Sequence, residues 1–217
     1  MIDLFGPILR NAAFSPDTPA IRFERTTITY GRFAARVRAI GAELARDGVT
    51  RGDRVAVLAE NHPDTLALLY ALSRLGAMLV PLNWRLADEE LTYALDHCAP
   101  AFLVHGPGYG ARAMALAGQI PLRSMGRNGD LGSASDGDLP EHGALDDPCL
   151  LVFTSGTTGR PKGALLSQRA LLGNAIQSHH MHQMTASDHI LTVLPLFHVG
   201  GLNIQTTPAL MMGATVT

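Results

Sequence analysis

The residues best suited to chemistry lie in one run, Thr154-Ser155-Gly156-Thr157-Thr158-Gly159-Arg160-Pro161-Lys162-Gly163. The hydroxyls of Thr154, Ser155, Thr157 and Thr158 surround Gly156, and each can donate to a phosphate oxygen. Gly156, Gly159 and Gly163 let backbone N–H groups come close to an anion, and Lys162 adds one compact positive charge. The pattern predicts a phosphate cradle set after a buried strand and before a helix. Two positions exclude a Walker A loop. Counted from Gly156, Lys162 stands where that loop's lysine belongs, but Pro161 replaces the preceding Gly. Gly163 replaces the Ser or Thr that would hold Mg2+. The run is a phosphate loop of another kind.

The elements that must position this loop follow from hydrophobic periodicity. Thr29 is placed to cap a helix in which Phe33, Val37, Ile40 and Leu44 keep a 3.6-residue period, ending near Gly48. Arg51-Gly52-Asp53 reads as a turn into a strand over 55–58. Asp64 is expected to cap a helix running to about Leu75, followed by a strand over 78–82. Asp88 opens a helix to about His97, a strand covers 101–104, and a weaker helix covers 108–118. Strands apolar on both faces and separated by amphipathic helices predict an α/β fold with a doubly wound, mostly parallel sheet flanked by helices. Cys149 to Phe153 forms the strand that runs into the phosphate loop. Ser167 caps a helix to about His182, and Ile190 to Leu194 is the next strand. The Met211–Thr217 stretch reads as a helix end, a turn and the start of a β-branched strand belonging to a second sheet. The expected organisation is a βαβ region over 1–125, a Gly/Ser/Asp-rich loop over 126–147, and a phosphate-loop strand–helix unit over 148–217. Because the sequence stops inside a strand, the chain is expected to be a fragment with an open sheet edge that self-associates.

Composition narrows the classes. With 217 residues, 47% hydrophobic and 17% charged, the chain can bury a sizeable core and is not a disordered polymer. Seventeen Lys+Arg against nineteen Asp+Glu leave no basic excess for nucleic acid. Cys98 and Cys149 make neither a disulfide framework nor a metal knuckle, and read as reduced thiols. The acidic Met1-Ile2-Asp3 start and the lack of a run of about 18 apolar residues predict no signal peptide and no membrane span, hence a soluble, cytoplasmic protein. His179, His180, His182 and His189 cluster in sequence, but no Cys or carboxylate lies nearby to complete a zinc site, and a polar helix end is the expected reading. The acids Asp136, Asp138, Glu141, Asp146 and Asp147 read as a solvated loop.

Beyond the loop, several segments resemble one family in order and spacing. Leu151 to Gly163 resembles the phosphate loop of the adenylate-forming (AMP-binding) superfamily, and in particular of acyl-CoA synthetases. Ile28-Thr29-Tyr30, Gly52-Asp53-Arg54-Val55-Ala56, Gly76-Ala77 through Pro81-Leu82-Asn83, and Pro195-Leu196-Phe197-His198-Val199-Gly200-Gly201 resemble further family segments. The resemblance implies an acid–thiol ligase. A carboxylate, a fatty or aryl acid, would attack the α-phosphate of ATP to give an acyl-adenylate, and coenzyme A would then take the acyl group. It implies that Thr154, Ser155, Gly156, Thr157, Thr158, Gly159 and Lys162 hold the β- and γ-phosphates, and that the Thr154 hydroxyl reaches Mg2+. It places His198, Gly200 and Gly201 at the substrate pocket, with His198 as a gate and polar contact rather than a base. No catalytic residue is expected in the segment itself. The family usually carries His after the Ser or Thr that follows the loop, whereas Ser167 is followed here by Gln168. Its adenine, ribose and acidic Mg2+ contacts and its mobile C-terminal lysine domain lie further along such enzymes, so this chain alone is expected to be incompetent. The alternative expectation is a non-catalytic module that binds nucleotide phosphate or docks on a partner.

Overall fold

The computed structural model describes residues 3–126, 129–133, 138–154 and 161–217. It opens with helix α1 (Gly6–Phe14) and a hairpin of β1 (Pro19–Phe23) and β2 (Thr26–Thr29), elements absent from the periodicity reading. Helix α2 (Tyr30–Arg46) begins as expected, with Thr29 Oγ1 accepting from the Arg32 N–H at 3.4 Å. There follow β3 (Arg54–Leu58), α3 (Pro63–Leu75), β4 (Met78–Leu82), α4 (Asp88–Cys98), β5 (Phe102–His105), α5 (Gly110–Ala117) and β6 (Leu122–Ser124). Strands β7 (Pro148–Thr154) and β8 (Lys162–Ser167) complete a six-stranded sheet in the order β6-β5-β3-β4-β7-β8. All its pairs are parallel except β7–β8, which is antiparallel. From β3 the chain moves to β4 on one side and then crosses back to β5 on the other. This reversal is the kind of switch point outside whose carboxyl ends ligands bind in open α/β sheets.

Alternation along the strands explains why they are apolar throughout. Val55, Val57, Leu79, Val104, Leu150 and Val152 face one core with α2 and α3. Ala56, Leu58, Val80, Leu82 and Leu103 face a second core with α4 and α5. Helix α3 is buried at all 13 positions, so its charged side chains need internal partners. Arg74 pairs with Asp3 at 2.6 Å and with Glu141. Asp64 accepts two bonds from the Arg36 guanidinium, both at 2.9 Å, and one from the Gly126 N–H at 3.0 Å. Asp64 does not cap the helix. That role falls to His62, whose Nδ1 accepts from the Asp64 N–H at 3.1 Å, because Pro63 takes the first helical position and Asp64 is drawn to Arg36.

The remaining elements are α6 (Gln168–His182), β9 (His189–Ile190), α7 (Val199–Gly201), a π-helical turn Leu202–Thr206, α8 (Thr207–Met212) and β10 (Thr215–Val216). The second sheet has the order β2-β1-β10-β9. The strand expected over 190–194 is only two residues long, since Leu191 and Val193 are 66% and 74% exposed and no neighbour covers them among the described residues. The open edge expected at Thr217 is also corrected: β10 is paired in parallel on both sides, with β1 and β9. The 126–147 stretch is irregular where described but not merely solvated. Leu131 is fully buried, and Glu141, Asp146 and Asp147 pair with Arg74, Arg169 and Arg51. Asp136 lies outside the described residues.

Tyr30 ties α2 to the second sheet. Its fully buried hydroxyl lies 2.6 Å from the Ala214 carbonyl and 3.0 Å from that of Leu210. Tyr30→Phe should leave a buried carbonyl unpartnered and cost about 1–2 kcal/mol, read as a melting temperature lowered by a few degrees. A pH dependence follows from His62. Burial pushes its imidazole below the ordinary value despite the nearby Asp64 charge, so the unfolded chain binds a proton that the folded chain resists. Stability from this source is present above the ordinary His value of about 6.5 and is lost as pH falls below it. In His62→Asn, which keeps a capping side chain, denaturant titrations should show a smaller loss than wild type between about pH 7.5 and pH 5.5.

Candidate functional site

The phosphate-loop strand and its successor form a hairpin. β7 pairs with β8 in the register Thr154↔Lys162, Phe153↔Gly163, Val152↔Ala164. A strand therefore stands between the loop and α6, where a direct passage into the helix was expected. The reason is the neighbour: residues 162–167 lie antiparallel along β7 and extend the sheet by one strand before Ser167 caps α6, accepting from the Ala170 N–H at 3.2 Å. Thr154 and Lys162 are direct cross-strand partners, so their side chains leave the same face at the hairpin's mouth. The Thr154 hydroxyl donates to the Lys162 carbonyl at 3.3 Å, and the Lys162 side chain is exposed with no ion-pair partner among the described residues. A hydroxyl and an ammonium side by side at a strand end fit a polyphosphate with its metal: the lysine as counter-charge, the threonine oxygen as donor or metal ligand. The expected phosphate contacts Ser155, Gly156, Thr157, Thr158 and Gly159 lie outside the described residues.

The second group is the turn that carries His198, Gly200 and Gly201. His198 caps α7, its Nδ1 accepting from the Gly200 N–H at 3.0 Å. With Nδ1 an acceptor, the neutral ring carries its proton on Nε2, leaving one N–H donor on an exposed side chain. Gly201 is required sterically, because a Cβ there would lie 2.2 Å from the Pro195 carbonyl oxygen. Helix α7 runs into the π-turn, whose displaced carbonyls are taken up by α6: Asn174 Nδ2 donates to Asn203 O and Ser178 Oγ to Ile204 O, each at 2.5 Å. Such single π-turns recur at functional sites.

Both groups sit at one edge of the six-stranded sheet. Thr154 ends β7, which is parallel to β4 and β3, so the segments leaving β3 and β4 emerge at the same carboxyl edge. Those segments reach the His198 turn. Asn61, after β3, bonds the Leu194 carbonyl and the Leu196 N–H, and Arg85, after β4, lies 5.8 Å from the Phe197 ring centroid. Arg85 is itself stacked 4.8 Å from Trp84, and Arg112 holds that segment by donating to the Trp84 and Leu86 carbonyls. Sequence patterning missed Asn61, Trp84 and Arg85. The available signal was their position immediately after predicted strands of a doubly wound sheet.

A cleft of about 880 Å3 opens further along this edge, between the ends of β3, β5 and β6 and the β1–β2 hairpin. None of the predicted site residues lines it, and Arg36, Asp64 and His62 within it are bonded to one another or to backbone. At Gln168, where a histidine is usual in the resembling family, the side chain is fully buried. It accepts from the Leu4 N–H at 2.9 Å and donates to the Ser73 carbonyl at 2.7 Å, so it acts in packing. The histidines of α6 do not assemble: no group of three or more His, Cys, Asp or Glu suited to a metal occurs among the described residues. Cys98 and Cys149 are free and buried, and burial pushes their thiols up to about 11 and about 12. No helix among the described residues is long and apolar enough to cross a membrane.

Comparison with known proteins places the fold. Residues 8–217 match the model of the AMP-binding enzyme family. The indoleacetate–CoA ligase of Aromatoleum aromaticum is 42% identical over 95% of this chain and 43% of its own length. A feruloyl-CoA synthase from Amycolatopsis is 40% identical over 96% of this chain and 42% of its own. Among solved structures, ATP-bound MatB from Rhodopseudomonas palustris superposes with a TM-score of 0.87 at 27% identity, covering 99% of this chain and 45% of that one. The inhibitor-bound N-terminal domain of FACL13 from Mycobacterium tuberculosis superposes with a TM-score of 0.89 at 25% identity, covering 100% and 57%. The chain thus spans less than half the length of the curated relatives it matches. With residues 8–217 matched by that family model and the fold shared with its solved structures, the chain belongs to the AMP-binding enzyme family.

Proposed function

We propose that this chain is part of an ATP-dependent, AMP-forming acid–CoA ligase, and that its hairpin mouth and His198 turn are the phosphate and acyl sides of one site. The observation that carries this reading is the common placement of the two groups at the carboxyl edge of one sheet, tied by Asn61 and Arg85. In the reaction, a carboxylate oxygen attacks the α-phosphorus of ATP, pyrophosphate leaves, and the acyl-adenylate then loses AMP as the coenzyme A sulfur takes the acyl group. Bound Mg2+ would neutralise phosphate charge. The chain's own contribution is positional. Lys162 and the hydroxyls of Thr154, Ser155, Thr157 and Thr158, with the backbone at Gly156 and Gly159, hold the β- and γ-phosphates. His198 Nε2–H offers a donor to the acyl substrate, whose path Gly200 and Gly201 keep clear. Such holding, not covalent chemistry, is what lowers the barrier of a nucleotidyl transfer.

The relatives named for indoleacetate and ferulate favour an aryl acid as substrate. These 217 residues without further chain are proposed to be incompetent and to associate, since β8 is an edge strand with Leu165 59% exposed. Pyrophosphate exchange into ATP by the complete protein, surveyed over aryl and aliphatic acids, tests the reading; no exchange with any carboxylate would overturn it. Within an active protein, Lys162→Ala and Thr154→Val should each slow exchange about 10- to 100-fold, the loss of one charge-assisted contact of roughly 1.5–3 kcal/mol. Light scattering of the 217-residue chain should show a dimer or larger species.

A further inference from the structure

Asn61 lies outside every run in which residue types suggested chemistry, yet the His198 turn rests on it. It stands in the segment between β3 and α3, at the carboxyl edge of the six-stranded sheet. Its Nδ2 donates to the Leu194 carbonyl at 3.0 Å, and its Oδ1 accepts from the Leu196 N–H at 2.7 Å. Only one orientation of the amide satisfies both, because a carbonyl needs a donor and an N–H an acceptor. The two groups flank Pro195 where the chain bends into the His198 turn, and the asparagine side chain bonds them as one residue of a neighbouring parallel strand would. Pro195 has no N–H of its own to anchor this stretch.

The position of the imidazole follows from that clamp. The His198 N–H donates to the Pro195 carbonyl at 3.1 Å, and Gly201 fits only because it lacks the Cβ that would meet the same oxygen. Nδ1 of His198 is then occupied by the Gly200 N–H, which fixes where Nε2–H is presented. Leu196 is 5% exposed and seals the inner side, while Arg85 over Phe197 supports the outer side. A residue 137 positions earlier in the chain thus sets the geometry of the ring. We infer that Asn61 is a positioning residue that holds the Leu194–Leu196 backbone and, through it, aims the His198 imidazole at the reacting carboxylate. The substrate half of this inference rests on the ligase reading proposed above.

Two measurements on the complete protein decide it. In histidine-selective 15N NMR, wild-type His198 should show the Nε2–H tautomer with Nδ1 as acceptor. Asn61→Ala should move its resonances toward the tautomer-averaged values while those of His97, on α4, stay in place as the mark of an intact fold. Asn61→Asp, which keeps the acceptor for Leu196 but cannot donate to Leu194, should fall between the two. In pyrophosphate exchange, Asn61→Ala should lower kcat/KM for the carboxylate about 10- to 100-fold with KM for ATP unchanged, the cost expected of a misplacement near 1 Å. Unchanged His198 resonances in folded Asn61→Ala, or equal damage to the ATP and carboxylate parameters, would overturn the inference. If wild type shows no exchange at all, the ligase reading fails, and the NMR result alone still decides whether Asn61 places His198.

Discussion

Everything in this chain is arranged around a helix that has no solvent face. All 13 residues of α3 are buried between the six-stranded sheet on one side and α1 and α2 on the other. Burying Leu66, Leu68, Leu69, Leu72 and Leu75 supplies much of the hydrophobic driving force, at about 1.5–3 kcal/mol for each such side chain. The same burial demands that the charged groups on the helix be matched, while the buried hydroxyls of Thr65 and Tyr70 have no hydrogen-bond partner among the described residues. Arg74, 10% exposed at its side chain, has Asp3 and Glu141; Asp64 has Arg36 and the Gly126 N–H. These are long-range pairs, and removing one partner would leave a charge alone in the core, a loss of several kcal/mol. Tyr70 and Phe33 meet edge to face 5.8 Å apart in the same layer, which keys α3 to α2.

This central packing also delivers the functional edge. Because α3 starts immediately after the β3 segment that holds Asn61 and ends at Gly76, in the left-handed conformation, before β4, both of its ends are constrained by the sheet. Gly76 is needed there twice over: its φ is +73°, and a Cβ would lie 2.8 Å from the Arg51 side chain. The helix thereby sets the spacing between the β3 and β4 segments, and those segments carry Asn61 and Arg85 to the His198 turn. Gln168 closes the other end, bonding Ser73 of α3 and Leu4 of the N-terminal stretch from the first residue of α6. The site is thus assembled from loops, but the loops hang from a rigid helix and sheet.

Electrostatically the site is spare. The buried charges of Asp3, Asp64 and Arg74 are already paired, and the one charged side chain placed at the hairpin mouth among the described residues, Lys162, is exposed and uncommitted. An uncommitted ammonium beside a hydroxyl is a weak feature in water, where Coulomb energies are small. It gains strength only when a bound polyphosphate and further protein exclude solvent. That is in keeping with a chain less than half as long as its CoA ligase relatives.

Local rules were enough for much of this. The apolar strands over 55–58, 78–82 and 149–153, the cap at Thr29, the helix end and turn within Met211–Thr217 and the unusual run from Thr154 to Gly163 were all legible, because each depends on neighbours within a few residues. The doubly wound sheet followed from alternation of such strands with amphipathic helices. What tertiary structure alone decided were choices between locally equal options. His62, not Asp64, caps α3 because Arg36 arrives from another helix to claim the carboxylate. Lys162 to Ser167 is a strand because β7 lies beside it, and β10 is central because β1, almost 200 residues earlier, supplies its other neighbour. Asn61 gained its role from a backbone segment 133 to 135 residues away. No local pattern encodes a partner at that distance; it exists only once the two sheets have packed.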